Sequence, residues 1–325
     1  MTGEFSLIDR FFKQRQAQRK DVQLGIGDDC AIVKVPEQVR LAISTDTMVS
    51  GTHFLPDANP AWVAHKALAS NLSDLASMGA TPAWCSLALT LPETDTEWLS
   101  QFCDAFFELA SYYNIQLIGG DTTRGPLSIT LTVHGFVPED QVLTRQGAKV
   151  GDWIYVTGTL GDSKAGLELI LSGEQMVHPS GAELEKRHYL SSPRVLAGQA
   201  LLKLASSAID ISDGLAADVQ HILECSGVGA SIDVSCLPVS KELLQYLGDD
   251  IVKAQQYALT SGEEYELCFT VSEGNKGSLE SALSHCDTPL TCIGQIRPQG
   301  QWELHDKGKP LAWNLTGYDH FRREK

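Results

Sequence analysis

Residues 138–152 read PEDQVLTRQGAKVGD, a polar run with almost no helical or strand period. An interruption of this kind between periodic segments marks a boundary. It predicts a first domain over 1–138, a connecting segment over 139–148 and a second domain over 149–325. Before it, Leu41 to Ser44 reads as a strand ending in the polar turn TDT. Ala61 to Met78 reads as a helix, with Leu68, Leu72 and Leu75 at helical spacing and Gly79 as its stop. Residues 83–91 form a strand, and Glu97 to Tyr113 a helix with Phe102, Phe106, Leu109 and Tyr113 on one stripe. A short strand, Ile115 to Ile118, runs into GGD, and Leu127 to Val137 alternates as a strand. After the boundary come the strand WIYVTG, a glycine turn with the helix GDSKAGLELILSG, a helix after Pro193, the strand SAIDIS and a helix from Asp213 to Cys225. The strands YELCFTVS and LTCIGQI flank a helix near Ser278–His285. Both halves mix strands and helices, which predicts two α/β or α+β domains.

Bulk properties agree with this division. At 325 residues the chain exceeds the roughly 250–300 at which single cores stop growing. It is 43% hydrophobic and 20% charged, as soluble domains are. With 41 acidic and 25 basic residues the net charge is −16, which argues against nucleic acid or an anionic membrane as the main partner. None of the eight cysteines forms a CxxC pair, so they read as reduced structural thiols. The N-terminus has no long apolar stretch, and no run approaches a membrane span, so a cytoplasmic location is expected.

Seven aspartates stand in glycine- and serine-punctuated segments: Asp28 and Asp29 in GIGDDCA, Asp46 in STDT, Asp74 in NLSDLASMG, Asp121 in GGDTTRG, and Asp210 with Asp213 in IDISDGL. Gathered carboxylates repel, and hard cations such as Mg²⁺, which take oxygen ligands, would relieve them. Each segment has a plainer reading beside that one. Asp28 and Asp29 suit a β-turn, Asp213 suits a helix N-cap, and GTLGDSKAG suits either helix entry or a phosphate cradle. Asp74 is harder to dismiss, because it falls near a helix C-terminus, where the dipole disfavours an anion. Arg145 suits a solvated loop or a phosphate contact, His53 a surface site, and Glu263 with Glu264 a strand start. No GxxxxGK[ST] loop and no HRD…DFG pair occurs, so a bound nucleotide would be held through metals and backbone amides in another fold.

The ordered series GEFSLIDRF, GIGDDCA, STDTMVSGTHF, NLSDLASMGA, GGDTTRG, LTRQGAKVGD, VTGTLGDSKAGL, AIDISDGL and SGEEYELCF resembles the bacterial thiamine-monophosphate kinases, from residue 3 to about residue 321. Sibling families fit less well. Selenophosphate synthetase would place a reactive Cys near its start, whereas the first cysteine here is Cys30. The hydrogenase-maturation relative would end in a cysteine-bearing tail, and the purine-pathway relative lacks the GEFSLI opening.

The resemblance implies the aminoimidazole-ribonucleotide-synthetase-like fold, with N-terminal domains pairing across a homodimer into a β-barrel and an α/β C-terminal domain. It implies Mg²⁺-dependent transfer of the γ-phosphoryl of ATP to thiamine monophosphate, giving thiamine diphosphate and ADP. By motif match, Asp29, Ser44, Thr45, Asp46, Asp74, Asp121, Asp210 and Asp213 would hold several Mg²⁺ ions. Gly120, Asp121, Arg145 and Ser212 would contact ATP, and His53, Glu263 and Tyr318 the thiamine phosphate. A phosphate acceptor is already nucleophilic, so neither an essential general base nor a phospho-enzyme is expected. Two other classes stay open on the residues alone: a metal-dependent phosphohydrolase, and a non-catalytic cation- or nucleotide-binding protein.

Overall fold

A computed structural model describes residues 7–16 and 18–313. Tyr318 lies outside the described residues. The chain divides into two compact units, one of residues 1–75 with 80–140, the other of residues 76–79 with 141–325.

In the first unit a π-helical turn, Ile8–Lys13, buries Phe11 and Phe12. A small antiparallel pair, β1 (Val22–Leu24) and β2 (Ile32–Val33), follows. The main sheet consists of β3 (Val39–Val49), β4 (Thr81–Leu91), β5 (Gln116–Arg124) and β6 (Ser128–Pro138). Helix α1 (Pro60–Ser77) joins β3 to β4, and α2 (Thr96–Tyr112) joins β4 to β5. Asp95 starts α2 by accepting the N–H groups of Glu97 and Trp98. Phe102 and Phe106 then point inward one turn apart, with no exposure. Leu75 of α1 lies over Gly135 of β6, which gives helix and sheet a close contact.

The strand order is β3-β6-β4-β5, with β4 and β5 parallel and the other pairs antiparallel. This corrects the expected β-barrel. Among the described residues the sheet is open, with β3 and β5 at its edges, and four strands are too few to close on themselves.

In the second unit the strands are β7 (Trp153–Thr157), β8 (Ala205–Asp210), β9 (Gly229–Asp233), β10 (Leu267–Val271), β11 (Leu290–Arg297), β12 (Trp302–Asp306) and β13 (Lys309–Leu311). They form one sheet of order β13-β12-β9-β11-β7-β10-β8. The helices are α3 (Asp162–Ser172), α4 (Gly181–Tyr189), α5 (Val195–Leu201), α6 (Leu215–Ser226), α7 (Lys241–Tyr246), α8 (Ile251–Thr260), α9 (Glu273–Lys276) and α10 (Leu279–Leu283). The core of this unit gathers Ile154, Val156, Ile209, Leu215, Ile232 and Ile293 between sheet and helices. Among the described residues no helix is long and apolar enough to cross a membrane, and all eight cysteines are free thiols.

Candidate active site

Each unit carries its own share of the acidic motifs. In the first unit STDT is not a turn. β3 runs through it for eleven residues in register with β6, pairing Ser44 with Val133 and Asp46 with Leu131. Alternation along the strand puts Ser44 and Asp46 on one face and Thr45 on the other. The Ser44 hydroxyl donates to the Asp74 carboxylate of α1. Thr45 instead meets the Thr132 hydroxyl at 2.9 Å on the exposed face.

Asp46 sits beside Asp74. Burial, and after it the Asp74 charge, pushes the Asp46 pKa up to about 6. Among the described residues no hydrogen bond reaches the Asp46 carboxylate. Two carboxylates and a hydroxyl thus converge at the end of α1, where the helix dipole offers an anion no help.

GGDTTRG also lies in a strand rather than after one. β5 carries it along β4, pairing Gly120 with Leu87 and Asp121 with Ala88. A register shift at Cys85/Ser86 moves the partner from Leu117 to Gly119, a bulge that re-aims the strand beside the motif. A Cβ on Gly120 would lie 1.8 Å from the Leu87 carbonyl oxygen. The glycine is therefore required by the approach of β4. Gly119 through Thr122 border a small cavity of about 50 Å³ whose other walls are Ile8, Phe12, Ile26, Leu87 and Leu117. Asp28 and Asp29 lie in an exposed turn, in which Asp28 accepts the Asp29 N–H at 2.9 Å. That makes Asp28 a turn residue.

His53 is held by its own backbone surroundings. Its Nδ1 accepts the Val49 N–H at 3.0 Å, so the proton of the neutral ring resides on Nε2. Its carbonyl accepts from the Lys66 ammonium at 3.0 Å. Lys66 has no exposure. Sequence reading missed it, although a lysine amid the apolar positions of WVAHKALASNL was a visible signal.

In the second unit, β8 delivers the buried Asp210 into the turn Ile211–Gly214. That turn is laced to the segment 261–266. Ile211 donates to Glu266 O at 2.8 Å, Tyr265 donates to Ile211 O at 2.9 Å, and Glu263 donates to Ser212 O at 2.7 Å. Glu263 and Tyr265 both adopt left-handed backbone, with φ of 57° and 54°, a strained state held in place by these bonds. Glu263 Oε2 stands 3.8 Å from Nδ1 of the buried His188, whose Nδ1 also meets the Ser163 hydroxyl at 3.1 Å.

Two carboxylates here serve the backbone. Glu264 accepts the N–H groups of Gly161 and Ser163 at 2.9 and 3.2 Å, which fills the N-terminus of α3. Burial, and after it the Asp162 charge, raises the Glu264 pKa well above the carboxylate range. GTLGDSKAG is therefore a helix entry whose first amides are already met by the Glu264 side chain. Asp218 in the first turn of α6 accepts the N–H groups of Ser212, Asp213 and Gly214, each at 3.1 Å. Burial pushes its pKa up to about 7, against the pull of those amides. Asp213 therefore donates its N–H to Asp218, and Gly214 is the cap residue of α6. Arg145 is exposed, and its carbonyl accepts the Ser226 hydroxyl at 3.2 Å.

The eight residues matched as metal ligands thus divide between the units. The structure brings Ser44, Asp46 and Asp74 together in the first, and carries Asp210 and Asp213 on one turn in the second. Among the described residues no three His, Cys, Asp or Glu side chains form a metal-binding group. Asp29 and Asp121 are exposed elsewhere in the first unit.

Comparison with known proteins follows both units. Residues 27–137 match the N-terminal domain of AIR synthase related protein, and residues 149–307 match its C-terminal domain. The thiamine-monophosphate kinase of Escherichia coli K12 is 56% identical over 322 residues, covering 98% of each chain. The crystal structure of thiamine-monophosphate kinase from Stenotrophomonas maltophilia K279a has 43% identity and a TM-score of 0.86, over 95% of this chain and 98% of that one. AaThiL complexed with AMPPCP and TMP has 32% identity and a TM-score of 0.78, over 98% of this chain and 97% of that one. The chain belongs to the AIR synthase related proteins and, among them, to the thiamine-monophosphate kinases.

Proposed function

We propose that this chain phosphorylates thiamine monophosphate with ATP, giving thiamine diphosphate and ADP by direct in-line transfer in a Mg²⁺-dependent reaction. Family membership supports the substrates, and the Ser44–Asp46–Asp74 group carries the case for a cation. Two adjacent, partly buried carboxylates are stable in their ionised form only with positive charge beside them. Their oxygen donors suit Mg²⁺.

Asp46 and Asp74 with Ser44 would hold such ions in the first unit, where Asp29, Asp121 and, from the other face of β3, Thr45 would add oxygen donors, and Asp210 and Asp213 would hold them in the second. When bound, Mg²⁺ neutralises phosphate charge and orients the transfer. The need is large: two unit charges 4 Å apart repel by ~4 kcal/mol at an effective dielectric of about 20. Asp121 with Gly120, Arg145 and Ser212 contact ATP. Glu263 faces the cationic thiazolium, and His53 offers its Nε2–H to the acceptor phosphate. Tyr318 supplies an aromatic face to the ring. No residue serves as general base, because a phosphate monoester with a second pKa of about 6 is already largely dianionic at neutral pH. The protein acts as a homodimer in the cytoplasm.

Release of ADP, measured with and without thiamine monophosphate and Mg²⁺, tests this. Turnover that needs all three components supports the kinase. Phosphate release from ATP without the acceptor would instead identify a phosphohydrolase.

A further inference from the structure

The turn Ser212–Gly214 presents three consecutive backbone N–H groups that converge on one point. Such a concavity binds anions, and before a helix it commonly receives a phosphate. Here the point is already taken by Asp218 Oδ2, 3.1 Å from each of the three nitrogens. Asp218 is only 2% exposed and comes from the first turn of α6. The amide face of the turn is therefore closed to a nucleotide. Only its side chains, the Ser212 hydroxyl and the Asp213 carboxylate, remain to meet a ligand.

The opposite side of the turn is held as well. Ser212 O accepts the Glu263 N–H at 2.7 Å, and a Cβ on Gly262 would lie 2.7 Å from that same oxygen. Gly214, at φ 111°, lies so close to Thr260 that a Cβ would come within 3.0 Å of its carbonyl carbon. The turn is thus clamped between Asp218 and the segment that carries Glu263.

We propose that Asp218 is a positioning residue for ATP: its carboxylate holds the backbone of 212–214 in one conformation and so sets where the Ser212 hydroxyl and the Asp213 carboxylate stand. This rests on the reading of 210–214 as a nucleotide and metal contact. Asp218 itself touches neither substrate.

The test uses the full chain with Asp218→Asn, Asp218→Ala and Asp213→Asn. All three amides converge on one oxygen, so the Asn carbonyl can replace that oxygen as a weaker acceptor, whereas Ala cannot. The expected KM for ATP rises in the order wild type, Asp218→Asn, Asp218→Ala, by roughly tenfold or more for Ala. The KM for thiamine monophosphate changes far less. The melting shift produced by an ATP analogue with Mg²⁺ shrinks in the same order.

A purely structural role would lower the melting temperature and the active fraction but leave the ATP KM where it was. An ATP KM within twofold of wild type for folded Asp218→Ala overturns the proposal, and for folded Asp218→Asn does so if the Ala variant does not fold. Asp213→Asn separates the two levels. If it loses turnover while both Asp218 variants keep the ATP KM, only the positioning role fails. If it too behaves as wild type, the reading of the turn fails.

Discussion

The carboxylates of the two units are kept in opposite ways. In the first, Asp46 lies beside Asp74 and takes no hydrogen bond among the described residues, and repulsion adds to burial in raising its pKa. In the second, Asp218 is more deeply buried than Asp46, yet Asp218 and Glu264 accept three and two backbone amides. Buried acidity alone therefore does not mark a cation site. What separates the two is the partner each carboxylate meets: backbone N–H groups in the second unit, and at the end of α1 a neighbouring carboxylate and the Ser44 hydroxyl.

The sharpest way to break this contrast is Asp46→Asn. It should lower kcat by roughly 10²-fold or more and reduce the melting shift that Mg²⁺ produces. It should also raise the melting temperature of the metal-free protein, because a buried like-charge pair is gone. Near-normal turnover, or a lower metal-free melting temperature, would remove Asp46 from the cation site.

The matching change in the second unit is Glu264→Ala, which strands two buried amides at the start of α3. It should destabilise the protein by about 2–4 kcal/mol in urea unfolding, with or without Mg²⁺. A Mg²⁺-dependent loss would mean that Glu264 belongs with the recruited cations after all.

Next in size is the pH dependence. The folded pKa values of Asp46, about 6, and of Asp218, about 7, lie above their ordinary 3.8. Between pH 4 and 7 the folded chain therefore holds more protons than the unfolded one, and metal-free stability should fall as pH rises, by roughly 1–3 kcal/mol. Saturating Mg²⁺ should flatten the Asp46 share most, because its shift includes the charge of a second proposed ligand, Asp74. Melting curves across this range would show whether the metal changes the slope.

The smallest effect belongs to Lys66→Met, which frees the His53 carbonyl. We expect the KM for thiamine monophosphate to rise about fivefold, a loss of ~1 kcal/mol, with the KM for ATP unchanged. Steady-state kinetics varying each substrate in turn would check it, and equal rises in both KM values would assign Lys66 to packing alone.

Much of the architecture was legible from periodicity. Helix α1 was expected over 61–78 and observed over Pro60–Ser77, and α2 was placed to within a residue. Both carry long apolar stripes that local spacing reveals. STDT and GGDTTRG were misjudged as chain turns for the reverse reason. Their residues favour turns locally, but pairing with β6 and β4 satisfies the backbone and extends both strands through them. α4, α7, α8, β9, β12 and β13 went unrecognised, being short elements with too few apolar residues to establish a period.

By itself, the sequence determined the mixed α/β character of both halves, the family, and the acidic residues worth testing. Those follow from composition, periodicity and an ordered set of short motifs, all of which are local. Only tertiary structure decided that Thr45 faces away from Ser44 and Asp46, that the N-terminal sheet stays open, and that Asp218 and Glu264 answer amides rather than cations. A carboxylate reads the same in a sequence whichever partner it meets. The partner is set by where the backbone N–H groups of another segment come to lie.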